Sequence, residues 1–167
     1  QERANALRAN VVIKSTGGTL FSSVLGSGVV INKTGKTIYL LTNKHVIENS
    51  KSMEVSFYNG EISEATIVWQ APKNIDIVII SCTLLAETKI KPVTLFSGLV
   101  GQAQTVFAIG NPMNLLWSYT EGVISSRRIQ NYDGLEVSIY QTQTPINSGN
   151  SGGGLYNQEG KLIGINS

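Results

Sequence analysis

The sequence contains one cysteine and one histidine, and each shortage excludes a class of site. Cys82 alone cannot form an intrachain disulfide, which argues against a disulfide-stapled domain. One histidine and one cysteine cannot complete a closed zinc site, so we expect no metal. Gly26-Ser27-Gly28 lacks the third glycine of a dinucleotide-binding loop and no crossover helix follows it, so we expect no cofactor.

Charge and long apolar runs are also scarce. Charged residues make up 14% of the chain, the net charge is +2, and Arg127-Arg128 is a mild basic pair. A nucleic-acid groove needs clustered basic residues with interleaved aromatics, so we expect no nucleic-acid partner. No stretch approaches the ~20 apolar residues of a membrane span, and we expect none.

The chain does contain short β-rich runs, separated by turn residues roughly every ten positions, which is typical of an all-β sandwich or barrel. Long helical periodicity is absent, which excludes a doubly wound α/β sheet. The first eight residues could form one helical turn. The predicted strands are Val11–Ser15, Ser27–Asn32, Thr37–Thr42, Glu54–Tyr58, Ser63–Gln70, Asp76–Cys82, Thr105–Gly110, Ser118–Ile129, Glu136–Gln143, Gly154–Tyr156 and Lys161–Ile165.

Three residues form a nucleophile, base and orienting group in chain order: His45, Asp76 and Ser151. A serine hydroxyl is a weak nucleophile until a base takes its proton and a third group holds that base. The order His, Asp, Ser is that of the chymotrypsin-like fold, whereas subtilisin and the α/β-hydrolases use other orders. Taken singly, each residue has a structural alternative. His45 could be a surface imidazole, Asp76 a strand-start cap, and Ser151 part of a glycine-rich turn.

The glycines around Ser151 have a chemical purpose in this interpretation. Attack on an amide creates an oxyanion that backbone N–H groups must stabilise, and glycine permits the tight backbone that turns those groups inward. We assign the oxyanion hole to Gly149, Asn150 and Ser151, with the N–H groups of Gly149 and Ser151 as donors. His45 directly follows an apolar strand, and Asp76 heads another. We therefore expect both at strand ends.

A family resemblance rests on segments that follow one another along almost the whole chain. They are Gly26–Ile31, Leu41–Ile47, Asp76–Ile79, Ala108–Pro112, Thr120–Ser125, Gln143–Gly153 and Gly160–Asn166. In this order they resemble the trypsin-like peptidases of the HtrA (Deg) type. The resemblance implies two Greek-key antiparallel β-barrels with the active site in the cleft between them. It implies one peptidase domain over residues 1–167: a first barrel over about 9–83, a linker over 84–102, and a second barrel over 103–167 that lacks its final strand.

The same resemblance implies a substrate and a setting. Ile146 matches a residue that lines the side-chain pocket in this family, and together with Asn147 and Ser148 it is expected to bind substrate, with a preference for aliphatic side chains. The expected function is a serine endopeptidase acting on polypeptides in protein quality control or processing, outside the cytoplasm. Relatives are often trimers built through N-terminal contacts. A homo-oligomer stays open here, because the first ten residues contain no aromatic cluster.

Two alternatives remain open at this stage. The first is a protease-like binding module that captures chains without cutting them. The second is an activatable enzyme that is inactive as isolated, with its oxyanion loop over Ile146–Asn150 unformed until a partner binds.

Overall fold

The computed structural model describes residues 2–17, 23–72, 74–98, 100–110, 118–132, 134–143 and 151–167. Strands dominate these residues, and the two helices among them are short: α1 (Glu2–Ala9) and α2 (Lys44–Ile47). The strands are β1 (Asn10–Gly17), β2 (Ser23–Thr34), β3 (Thr37–Thr42), β4 (Ser50–Ser56), β5 (Ile62–Gln70), β6 (Val78–Thr83), β7 (Thr105–Gly110), β8 (Ser118–Tyr132), β9 (Leu135–Thr142), β10 (Gly154–Asn157) and β11 (Leu162–Ile165).

The first six strands form a closed antiparallel barrel in the order β1-β2-β3-β6-β5-β4. Alternate side chains point inward because successive residues of a strand face opposite sides of the sheet. In β3, for example, Ile38, Leu40 and Thr42 are buried while their neighbours are only partly covered. Closure leaves no free edge in this barrel.

The other five strands form an antiparallel half-barrel in the order β11-β10-β7-β8-β9. β7 joins the two halves, because its two faces belong to different cores. Phe107 and Ile109 pack into the large core that includes the first barrel, whereas Val106 and Ala108 pack with Ile124 in a smaller core. The predicted all-β fold with two antiparallel barrels is confirmed as a closed barrel plus a half-barrel.

The predicted strands agree closely with the observed ones, with one clear shift. The fourth strand was expected over Glu54–Tyr58 and lies over Ser50–Ser56. It ends early because Phe57 begins a turn: its carbonyl accepts a hydrogen bond from the N–H of Gly60 at 2.9 Å, and Gly60 has a φ of +92°. The helical turn expected at the N-terminus is the full helix α1.

Within the described ranges, no helix is both long and apolar enough to cross a membrane.

Candidate active site

Asp76 holds His45 at two points. Its Oδ2 lies 2.5 Å from the ring Nδ1, and its Oδ1 accepts the backbone N–H of His45 at 3.0 Å. The backbone bond fixes the carboxylate relative to the main chain of His45, so rotation of the imidazole ring would break its contact with Oδ2. Both side chains remain partly accessible, with 46% of the His45 side chain and 32% of the Asp76 side chain exposed.

The carboxylate determines which ring nitrogen carries the proton. Partial burial alone would raise the pKa of Asp76, but the hydrogen bonds and charge of His45 outweigh burial and hold the pKa below its ordinary value. The ionised carboxylate can only accept, so Nδ1 of His45 is the donor. In the neutral ring this leaves Nε2 as the acceptor, which is the arrangement that a general base requires.

His45 does not lie at the end of β3, as the sequence led us to expect, but one residue inside the short helix α2. Val46, the next residue, packs on Gly26 of β2, where an added Cβ would come within 2.6 Å of Val46 Cγ1. Gly26 thus allows α2 to sit directly on the barrel wall. Asp76 was expected to be the first residue of a strand over Asp76–Cys82, but it lies two residues before the observed strand, because β6 begins at Val78.

Ser151 is anchored on the residue next to Gly26. The carbonyl of Ser151 accepts the N–H of Ser27 at 2.8 Å. Gly152 then has a φ of +86°, and an added Cβ would lie 2.0 Å from the Ser27 carbonyl oxygen. Consecutive residues of β2, Gly26 and Ser27, therefore support two elements: α2, which we call the histidine helix, and the turn over residues 151–154, which we call the serine turn.

Two polar residues that sequence reasoning missed connect the same elements. The Oγ1 hydroxyl of Thr42, which is buried at the end of β3, donates to the Ser27 carbonyl at 2.7 Å. The Nδ2 amide of Asn43 donates to the Asp76 carbonyl at 2.8 Å. In the sequence the two are only a Thr-Asn pair that ends an apolar strand two residues before His45, and nothing there indicates their distant partners.

The segment after β11 holds the other side of the serine turn. The N–H of Gly152 donates to the Asn166 carbonyl at 2.8 Å, and the N–H of Asn166 donates to the Gly153 carbonyl at 2.9 Å. The hydroxyl of Ser167 donates to Oδ2 of Asp76 at 3.3 Å. Asn166 and Ser167 thus connect the serine turn to the Asp76 carboxylate.

A cleft of about 500 Å³ opens beside His45 and Asp76. It is lined by α2, the residues that follow α2, strand β5, and the segment between β5 and β6. Ile47, Ile67 and Asn74 are among the lining residues. The cleft has the size of a small-ligand or side-chain pocket. The predicted pocket residues Ile146, Asn147 and Ser148 and the oxyanion residues Gly149 and Asn150 lie outside the described residues.

The fold and this site define a class, and comparison with known proteins agrees with it. The profile of the trypsin-like peptidase domain matches residues 26–165. The serine endoprotease DegS of Haemophilus influenzae is 39% identical over 150 residues, which cover 84% of this chain and 40% of DegS. The probable periplasmic serine endoprotease DegP-like protein of Buchnera aphidicola is 37% identical over 150 residues, covering 85% of this chain and 30% of that protein.

A solved structure of the HtrA-type protease AlgW with a tripeptide superposes with a TM-score of 0.80 at 30% identity, covering 99% of this chain and 52% of that one. The chain therefore belongs to the trypsin-like peptidase domain family. The two curated relatives are named as serine endoproteases, and the solved structure is of an HtrA-type protease. The chain spans less than half the length of the two curated relatives.

Proposed function

We propose that this domain hydrolyses peptide bonds with Ser151 as nucleophile, His45 as general base and Asp76 as the group that orients the base. One observation carries the proposal: the Asp76 carboxylate contacts both the ring and the backbone of His45, at 2.5 and 3.0 Å. A carboxylate in that position fixes the tautomer and stabilises the imidazolium that forms during reaction.

In the first half of the reaction, the Oγ of Ser151 attacks the peptide carbonyl carbon while its proton passes to Nε2 of His45. The tetrahedral intermediate then collapses, and the same proton passes to the departing amine, which leaves an acyl-enzyme. In the second half, water attacks the ester and gives its proton to Nε2. The acid leaves, and the proton returns to Ser151. No metal or cofactor is required.

The oxyanion of each intermediate would be held by the N–H groups of Gly149 and Ser151, with Asn150 between them. What supports this is the turn that directly follows the proposed donors: the Ser151 carbonyl accepts the N–H of Ser27 at 2.8 Å, which fixes the peptide unit between Ser151 and Gly152. Preorganised N–H donors stabilise developing charge without reorganising during the reaction.

We further propose that Ile146, Asn147 and Ser148 contact the substrate on the acyl side of the cut and that Ile146 favours small or medium aliphatic side chains. An apolar wall offers no partner for a lysine or arginine, whose burial without a counter-charge is costly.

The setting we propose is protein quality control or processing outside the cytoplasm, with polypeptide substrates, as in HtrA-type proteases. A relative is named as a probable periplasmic endoprotease, which supports this location. We also keep the division into a first barrel over about 9–83, a linker over 84–102 and a second barrel over 103–167, and self-association as a homo-oligomer, as proposals.

The test is labelling with a fluorophosphonate serine-hydrolase probe, read by intact mass, together with hydrolysis of an unfolded protein substrate. We expect one label per chain, and loss of label and of hydrolysis by orders of magnitude in Ser151→Ala, with the fold intact by circular dichroism. His45→Ala should lose activity similarly. The matched control is Ser97→Ala, because Ser97 is an exposed serine outside the site.

Unchanged hydrolysis by purified Ser151→Ala would refute the assignment. A folded chain that binds unfolded protein but neither reacts with the probe nor cuts would indicate a binding module instead. Slow labelling that a peptide activator accelerates would indicate an activatable enzyme.

A further inference from the structure

The residue that follows helix α1 contacts the serine turn directly. Asn10 is the first residue of β1 and is fully buried. Its Oδ1 accepts the N–H of Gly154 at 3.1 Å, three residues after Ser151. Its Nδ2 donates to the carbonyl of Ala6 in α1 at 2.6 Å and to the hydroxyl of Tyr156 at 2.5 Å. One amide thus joins α1, β1 and β10.

The partners fix the orientation of this amide. A backbone N–H can only donate and a backbone carbonyl can only accept, so Oδ1 must face Gly154 and Nδ2 must face Ala6. Burial raises the pKa of Tyr156 far above its ordinary value, so its hydroxyl stays neutral beside Nδ2. Each of these groups lies away from water, and losing its partner would leave a buried polar group unsatisfied.

The bond to Gly154 is the part of the serine turn's support that comes from the residue next to α1. The Ser151 carbonyl is held by Ser27, and Gly152 and Gly153 are held by Asn166. The carbonyl of Gly154 accepts the Nδ2 amide of Asn166 at 3.3 Å, while its N–H is held by Asn10. Removing the Asn10 side chain would leave the Gly154 N–H without this acceptor, while the hydrogen bonds from Ser27 and Asn166 to the turn remain.

We propose that Asn10 is a positioning residue for Ser151, which couples the docking of α1 to the geometry of the serine turn. The inference rests on the proposed function. A helix of eight residues is marginal by itself in water, so α1 depends on its contacts with the rest of the domain. Ala6 and Ala9 supply those contacts in the core, and Asn10 transmits the position of the helix to Gly154.

The test compares two substitutions of nearly equal size. Asn10→Leu removes both the acceptor for the Gly154 N–H and the donor to the Ala6 carbonyl. Asn10→Asp keeps both, because burial holds the carboxyl in its neutral form, in which one oxygen accepts from Gly154 and the O–H donates to Ala6. We expect kcat of Asn10→Leu to fall roughly tenfold to hundredfold with KM within about twofold of wild type, because a small displacement of a reacting group has effects of that size. Asn10→Asp should recover most of kcat.

Lost stability alone would not produce this pattern. Ile38→Ala is the control: Ile38 is buried in the first-barrel core and pairs with Lys33 and Cys82. It should lower the melting temperature and leave kcat per folded molecule unchanged. All kinetics are run well below the lowest melting temperature. Hydrogen exchange of the peptide over 151–157 gives a second readout, and it should accelerate in Asn10→Leu and not in Ile38→Ala.

The inference is overturned if Asn10→Leu retains wild-type kcat per probe-reactive molecule, or if kcat and exchange in Asn10→Asp fall as far as in Asn10→Leu. If Asn10→Leu does not fold, the comparison of Asn10→Asp with wild type decides: faster exchange at 151–157 despite the retained acceptor refutes the coupling. A wild-type chain that neither cuts nor reacts with the probe refutes the proposed function instead, and with it any catalytic role of Asn10.

Discussion

At the scale of single residues, Gly152 shows how the serine turn depends on close approach to the first barrel. An added Cβ at Gly152 would lie 2.0 Å from the Ser27 carbonyl oxygen and 2.4 Å from the Thr42 hydroxyl. Its φ of +86° is in the left-handed region, which costs other residues about 1–2 kcal/mol. No rotamer change can relieve a contact with a backbone oxygen, so the turn itself would have to move.

We therefore expect Gly152→Ala to lose most probe labelling and to be destabilised by more than about 2 kcal/mol, because strain and clash add. The measurements are urea unfolding and the second-order rate of labelling. Gly164→Ala is the matched control, since a Cβ there meets no atom within 4 Å and its φ is not positive. Equal labelling rates in the two variants would contradict the account of the serine turn.

The sequence was most informative about residues whose chemistry is rare. A lone histidine, an aspartate before an apolar run, and a serine among glycines could be identified by type, and the structure brings His45 and Asp76 into contact. Asn10, Ser27 and Asn43 could not be identified in this way. Their roles come from partners that lie far away in the chain, such as Gly154 for Asn10, and common polar residues give no local sign of them.

At the scale of elements, β7 is the strand on which the two halves of the molecule meet. Phe107 faces the large core and stacks with Tyr156 at a ring-centroid distance of 5.2 Å. The guanidinium of Arg3 lies 5.0 Å from the centre of the Phe107 ring and forms an ion pair with Glu121 of β8 at 3.1 Å. An exposed ion pair contributes little to stability, so the Phe107 ring accounts for most of the stabilising interaction with Arg3.

Phe107→Ala should consequently cost about 3–5 kcal/mol in urea unfolding and also release α1. Val106→Ala, on the opposite face of the same strand, should cost roughly 2 kcal/mol and leave α1 docked. Hydrogen exchange of the first ten residues separates the two effects. If α1 exchanges equally in both variants at matched stability, Phe107 does not anchor it.

Strand positions were predicted well because alternation and turn residues act locally. The edges were predicted less well where a turn begins before its Asn-Gly mark, as at Phe57, or where a short helix follows a strand, as at α2. The helix at Lys44–Ile47 forms because Gly26, eighteen or more positions earlier, leaves space for Val46. A local pattern cannot contain that information.

At the scale of the whole molecule, the proposed catalytic residues come from both halves: His45 and Asp76 from the first barrel, and Ser151 from the segment before β10. Their order along the chain indicated a two-barrel fold before any contact was known. What it could not supply was the support: residues from β1, β2, β3 and the segment after β11 hold the histidine helix and the serine turn together. Global unfolding and loss of the site should therefore coincide.

Alkaline pH tests this coupling through the one thiol. Cys82 is buried in the first-barrel core, and burial raises its pKa to about 11, against about 9 for an unperturbed thiol. Between these values the unfolded chain has lost a proton that the folded chain keeps, so stability falls as the pH rises. The loss due to Cys82 is at most about 2–3 kcal/mol and is complete near pH 11.

Cys82→Ala removes this dependence while leaving the tyrosines and lysines to titrate as before. Urea unfolding at pH 8, 9, 10 and 11 should show the variant less stable than wild type at pH 8, because a packed sulfur is lost, with the difference shrinking toward pH 11. Probe labelling in urea should be lost at the same midpoint as the fold at each pH. A stability difference that stays constant across this range would mean that the thiol ionises as readily in the folded barrel as in the unfolded chain.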